Sequence, residues 1–166
     1  MGNHRISITI NGELENVDVP SNVTLLQLLR EQFSLSGTKN GCTAGECGAC
    51  TVMLNDEPVN SCMVLAVECD ETNIVTVEGL AKDGMLDPIQ EAIIDTGGVQ
   101  CGFCTPGILI SAKALLNRNP DPSEADIREA LVGNLCRCTG YLRIIDAVKV
   151  AAVKGKANNI KAIAQV

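Results

Sequence analysis

Apolar and polar residues alternate from Arg5 to Ile10 and again from Glu13 to Val19, with Asn11-Gly12 between the two runs. Period-two alternation on both sides of Asn-Gly predicts a β-hairpin with a tight primed turn, which Pro20 and Ser21 end. The period then changes. Leu25, Leu28, Leu29 and Phe33 recur at helical spacing behind Thr24-x-x-Gln27, a capping box with Val23 and Leu28 placed as its hydrophobic staple. A Gly-rich loop follows from Gly37 to Cys50, then a short strand pair, Thr51–Leu54 and Pro58–Asn60, around Asn55-Asp56. A short apolar helix near Cys62–Glu68 and a strand at Ile74–Val77 complete this half. The order predicts a small mixed sheet with one helix packed across it, a β-grasp-like pattern.

From about residue 80 the pattern is wholly helical. Asp87-Pro88 opens a helix that Gly97-Gly98 stops, and Thr105-Pro106 repeats the device to open Gly107–Arg118. Ser123-x-x-Asp126 is another capping box, whose helix Gly133 ends. Thr139 caps a last helix from Gly140 to about Lys154, with Ile144, Ile145, Val148 and Ala152 inward. Four helices on short links predict a small bundle. The tail, Lys156–Val166, has weak apolar periodicity and no assigned role. The expected class is α+β, with the boundary in Gly79–Asp87: a sheet domain over 1–79 and a helical domain over 80–166.

Composition narrows the function classes. The 166 residues suit one ordinary domain or two small ones, too little for an enzyme with separate nucleotide and substrate domains. A net charge of −7, no Trp, one Tyr and two Phe argue against nucleic acid, which needs a basic face and stacking rings. The N-terminus lacks the apolar core of a secretory signal. Ile6 breaks the myristoylation pattern that Met1-Gly2 begins, and no apolar run approaches the ~18 residues of a spanning helix. The expectation is a soluble, cytoplasmic protein without membrane insertion, in which the Asn22-Val23-Thr24 sequon is a chance match. In a reducing compartment its nine Cys are better metal ligands than disulfide partners.

The cysteines fall into sets. Cys42-x4-Cys47-x2-Cys50 has the spacing of plant-type [2Fe-2S] ligation, on a loop where Gly41, Gly45 and Gly48 permit positive φ and close passage of the backbone. The fourth ligand must come from elsewhere, and spacing leaves Cys62 and Cys69 open. Cys101-x2-Cys104 and Cys136-x-Cys138 form a second set, each pair just ahead of a helix whose positive end favours thiolate. For this set spacing alone leaves iron and a four-cysteine zinc site both open. A thioredoxin-like role for Cys101-Gly-Phe-Cys104 lacks its βαβ context. The single His4 lies far from both sets, Lys39 reads as solvated, and Arg137 either offsets ligand charge or faces solvent.

GCTAGECGACTV (Gly41–Val52), SC (Ser61-Cys62), VQCGFCTPG (Val99–Gly107) and GNLCRCTGY (Gly133–Tyr141) resemble, in order and spacing over about residues 5–152, the small iron–sulfur subunit of the molybdenum hydroxylases. This is the xanthine dehydrogenase, aldehyde oxidoreductase and carbon monoxide dehydrogenase family. The resemblance implies a plant-type, β-grasp ferredoxin domain followed by a four-helix-bundle domain, with two [2Fe-2S] clusters. It assigns Cys42, Cys47, Cys50 and Cys62 to the first cluster and Cys101, Cys104, Cys136 and Cys138 to the second. It further implies a molybdopterin cofactor held by a large partner subunit and contacted here by Gln100 and Cys138, and an FAD-binding medium subunit. Electrons would pass from molybdenum through both clusters, and this chain would hold no catalytic residue; the alternative is a free-standing two-cluster ferredoxin. One departure is Leu142-Arg143-Ile144, where the family often has a polar residue followed by Asn-Ile. Cys69 reads as an extra, structural thiol.

Overall fold

The computed structural model describes residues 2–163, with side chains through Lys156. Strands β1 (Asn3–Ile10) and β2 (Glu13–Pro20) form the expected hairpin. Ile10 pairs with Glu13, leaving Asn11 and Gly12 as a two-residue turn with φ of 53° and 91°. Ile6, Ile8 and Ile10 are buried on one face. β3 (Thr51–Leu54), β4 (Glu57–Asn60) and β5 (Asn73–Val75) complete a sheet of order β2-β1-β5-β3-β4, in which only β1 and β5 run parallel. The strand predicted to reach Val77 stops at Val75. The Asn11 side chain takes the Thr76 N–H at 2.9 Å, and the chain turns into a 3-10 turn, Val77–Leu80.

The capping box at Thr24 forms as expected and opens α1 (Leu25–Gln27), which widens into a π turn over Leu28–Gln32. Leu25, Leu28 and Leu29 pack on Ile6, Ile8, Ile10, Val52 and Ile74. Each such side chain taken fully from water contributes roughly 1.5–3 kcal/mol. Leu26, outside the expected face, packs instead on Cys50 and Cys62. The helix expected near Cys62–Glu68 is two 3-10 turns, Ser61–Met63 and Ala66–Cys69. Between them Val64 and Leu65 are held extended, because Leu25 N–H donates to Val64 O and Ala66 N–H donates to Val23 O.

The second half holds α2 (Pro88–Asp95), α3 (Thr105–Arg118), α4 (Glu124–Ala130) and α5 (Leu142–Ile163). Asp87 and Ser123 cap α2 and α4 through complete capping boxes. Thr105 does not cap α3; it is the first helical residue, and Cys104 occupies the position before it without a side-chain cap. α5 starts two residues later than expected, since Gly140 and Tyr141 take φ of 62° and 66°. Its backbone continues to Ile163 through most of the predicted tail, of which residues 164–166 lie outside the described ones. α3 is buried continuously from Gly107 to Ala112, so it serves as the central helix. Met53 of β3 and Leu80 share its core with α2, α4 and α5, so the two halves are packed against each other. The architecture is α+β, with the helices beside one end of the sheet sequence.

Candidate metal centres

The Gly-rich loop folds around Cys42. The backbone N–H groups of Ala44, Glu46 and Cys47 all point at its sulfur at 3.4 Å. Those donors, with the Cys47 thiol, lower its pKa from 9.0 to about 6. A hydrogen bond to the charged form favours that form, so the loop is built to hold a thiolate. Gly41 serves differently from the expectation. Its φ is not positive, but a Cβ there would lie 2.8 Å from Cys47 Sγ, so the residue is small to make room for that sulfur. Thr43 supplies the left-handed turn instead, at φ 55°.

Cys50 and Cys62 form a second pair, buried together under Leu26. Burial pushes the Cys50 thiol up to about 11; the Cys62 N–H opposes this and the Cys62 thiol adds to it. Ser61 tightens the contact by donating from Oγ to Cys50 O at 2.7 Å. Cys69, the other sequence candidate, is elsewhere: fully buried in the sheet core, pushed up to about 11 by burial and by Glu68.

The second set also sorts into pairs. Cys101 and Cys138 are exposed, with sulfurs 3.6 Å apart, while Cys104 and Cys136 are half-buried neighbours. Burial and the adjoining Cys136 push Cys104 up to about 12, so its place at the start of α3 does not lower its pKa. Burial also opposes the charged form of Cys136, yet its pKa is lowered because Thr139 and backbone N–H groups outweigh it. Thr139 Oγ1 lies 3.1 Å from Cys136 Sγ. Cys138 is raised, chiefly by its contact with Cys101. At Cys104 and Cys138 burial and thiol contacts therefore act against the thiolate that the sequence led one to expect, whereas Cys136 is lowered as expected. Gln100 and Arg137 are exposed beside the Cys101–Cys138 pair in the chain. Lys39, expected to be solvated, donates to Ser36 O at 2.8 Å, and His4 meets Ser21 Oγ at 3.0 Å.

Among the described residues, no group of three His, Cys, Asp or Glu side chains closes around a single ion position. The eight thiols meet two by two. Pairs suit a two-iron cluster, whose irons each take two protein thiolates, better than one tetrahedral zinc. The donor set and the N–H groups aimed at Cys42 both fit such a cluster.

The two loops touch. Leu135 N–H donates to Cys47 O at 2.9 Å, and the Phe103 ring lies against Gly41. A side chain at Gly48 would overlap the Gly133 carbonyl, and one at Gly107 would overlap the Gly48 carbonyl. Asn134 and Tyr141 tie the same junction, and sequence reasoning gave neither a role beyond its place in a motif.

The family described as 2Fe-2S iron-sulfur cluster binding domain matches residues 8–81, and the [2Fe-2S] binding domain family matches residues 76–149. Each match contains one cysteine set. The nicotinate dehydrogenase small FeS subunit of Eubacterium barkeri is 50% identical over 146 residues, spanning 88% of this chain and 93% of that protein. This chain belongs to the small iron–sulfur subunits of the molybdenum hydroxylases. Among solved structures, the quinoline 2-oxidoreductase of Pseudomonas putida 86 superposes with a TM-score of 0.90 at 44% identity, covering 95% of this chain and 97% of that one. The aldehyde oxidoreductase of Desulfovibrio gigas gives 0.88 at 42% identity, with 92% of this chain matching only 17% of that larger one. The small subunit is thus a unit that also occurs within a longer chain. Membership makes this protein the iron–sulfur, electron-transferring part of an oxidoreductase with two [2Fe-2S] clusters. No helix among the described residues is long and apolar enough to cross a membrane.

Proposed function

We propose that this chain relays electrons from a molybdenum site in a large partner subunit, through two [2Fe-2S] clusters, towards FAD in a medium subunit. Residues 1–79 form the β-grasp ferredoxin-like domain and hold one cluster through Cys42, Cys47, Cys50 and Cys62. Residues 80–166 form the four-helix-bundle domain and hold the other through Cys101, Cys104, Cys136 and Cys138. The clusters supply one-electron carriage and the chain supplies no acid, base or nucleophile. The observation that carries the reading is the sorting of eight thiols into two sets of two pairs, on loops that touch each other.

The residues divide the work. The N–H groups of Ala44, Glu46 and Cys47 hold negative charge at Cys42, and Leu26 keeps water from Cys50 and Cys62. Cys101 and Cys138 present the second set outward, where Gln100 and Cys138 meet the molybdopterin that the large subunit holds. Val99, Phe103, Leu135 and Leu142, all more than a third exposed, flank these ligands in sequence. In the proposed complex these side chains meet the large subunit. The complex works in the cytoplasm.

Purification from the native host tests the reading. The expected result is a coloured complex with a larger chain and about four Fe per small subunit. A coloured protein that stays alone is instead a free two-cluster carrier, and a colourless zinc protein removes both readings.

A further inference from the structure

The junction between the two ligand loops is organised by one side chain. Asn134 is 3% exposed and sits two residues before Cys136. Its Nδ2 donates to Gly48 O at 3.0 Å and to Thr51 Oγ1 at 3.1 Å, two groups that bracket Cys50 in the first loop. Its Oδ1 accepts from Ser111 Oγ of α3 at 2.7 Å. Because the Gly48 carbonyl can only accept, the amide orientation is fixed. Thr51 Oγ1 in turn donates to Gly48 O at 2.7 Å, closing a three-membered set around one carbonyl. The Asn134 backbone carbonyl accepts from Tyr141 OH at 3.0 Å, and that oxygen accepts from Cys136 N–H at 2.8 Å. One residue thereby holds the loop of Cys47 and Cys50, the loop of Cys136, and the central helix.

We propose that Asn134 is a positioning residue that sets the separation and mutual orientation of the two clusters. The inference rests on the two-cluster reading above and adds what keeps the stations at a fixed distance. Among the described residues one backbone hydrogen bond, Leu135 N–H to Cys47 O, joins the two loops. The Asn134 side chain adds bonds on both sides of Cys50 and a strut to α3, so any displacement of one loop past the other has to break a buried polar set. Buried sets of this kind are rigid when every member is satisfied. Electron passage depends steeply on separation, so a fixed junction gives a fixed rate.

The test is Asn134→Asp in the full-length, iron-loaded chain. The substitution keeps the size and the acceptor facing Ser111, but both donated bonds disappear and a carboxylate oxygen faces the Gly48 carbonyl. With both clusters reduced, their magnetic dipolar coupling, which falls with the cube of separation, is read by EPR. The expected result is two cluster signals with a weakened or broadened coupling; a packing role alone leaves the coupling as in the parent. If N134D does not retain both clusters, Thr51→Val decides, since it removes the hydroxyl that accepts from Asn134 and donates to Gly48 O while leaving the shape. Both signals with parental coupling in the loaded variant that decides overturn the inference. A parent chain that never binds two clusters sinks the functional reading instead, so the two failures are distinct.

Discussion

Gly48 offers the sharpest test of how tightly the halves must meet. Its φ is +69°, and a Cβ there would lie 2.6 Å from Asn134 Nδ2 and 2.9 Å from Asn134 Cα, besides overlapping the Gly133 carbonyl. Gly48→Ala therefore carries two costs. A left-handed backbone at a non-glycine residue costs about 1–2 kcal/mol. Forcing a methyl group into a closed junction costs about 1–3 kcal/mol more. Gly84 isolates the first cost, because its φ is +75° and nothing lies within 4 Å of its Cβ position. The difference between G48A and G84A is thus the steric part alone. At about 2–4 °C per kcal/mol for a protein of this size, G48A should melt about 2–12 °C below G84A. Loss of cluster absorbance against temperature reads this, with all variants scanned at one rate because cluster loss makes unfolding irreversible. Equal midpoints for G48A and G84A would refute the close approach of the two loops.

The ligand assignments make their own predictions. Cys62→Ser should abolish the first cluster's EPR signal while Cys69→Ala leaves iron content unchanged, since Cys69 lies in the sheet core; loss of iron in C69A would reverse that choice. Cys104→Ser should remove one of two distinguishable EPR signals and leave the other, and survival of both disproves the helical-domain set. Glu124 is held down to about 2, from an ordinary 4.5, by hydrogen bonds and charge from Lys149 and Arg128. A depressed carboxylate adds stability above its unfolded value that is lost as pH falls towards the folded one. Far-UV circular dichroism on heating should find Glu124→Gln less stable than the parent at pH 7, with the gap narrowing only below about pH 4.5. High salt should shrink the gap as well.

What the sequence revealed and what it hid have one physical cause, which is range. The hairpin at Asn11-Gly12, the capping boxes at Thr24 and Ser123 and the Asp87-Pro88 helix start are decided by residues within a few positions of each other, and each formed as read. Where a distant group intervened, the local reading failed. β5 ends early because Asn11, 65 residues away, takes the Thr76 N–H. The helix expected at Cys62–Glu68 breaks because the Val23–Leu25 backbone draws Val64 and Leu65 into extension. Cys104 stands at the head of α3 yet is not made acidic by it, because burial beside Cys136 dominates.

The same distinction separates ligands from the residues that organise them. Cysteine spacing is a local signal that grouped Cys42, Cys47 and Cys50, and Cys101 and Cys104, but it left Cys62 and Cys69 both open and could not say that Cys50 meets Cys62 or Cys101 meets Cys138. Asn134 meets Gly48 across 86 residues and Thr51 across 83. No window of sequence contains both ends of that bond, and an Asn between Gly133 and Leu135 reads as an ordinary turn residue. Only the fold shows why the small residues cluster there: Gly48 and Gly107 clear the space that lets the two loops meet. If Asn134 sets the cluster separation as proposed, that junction belongs to the function along with the thiols. A variant that keeps all eight proposed ligand cysteines and opens the junction should bind two clusters and still relay electrons poorly.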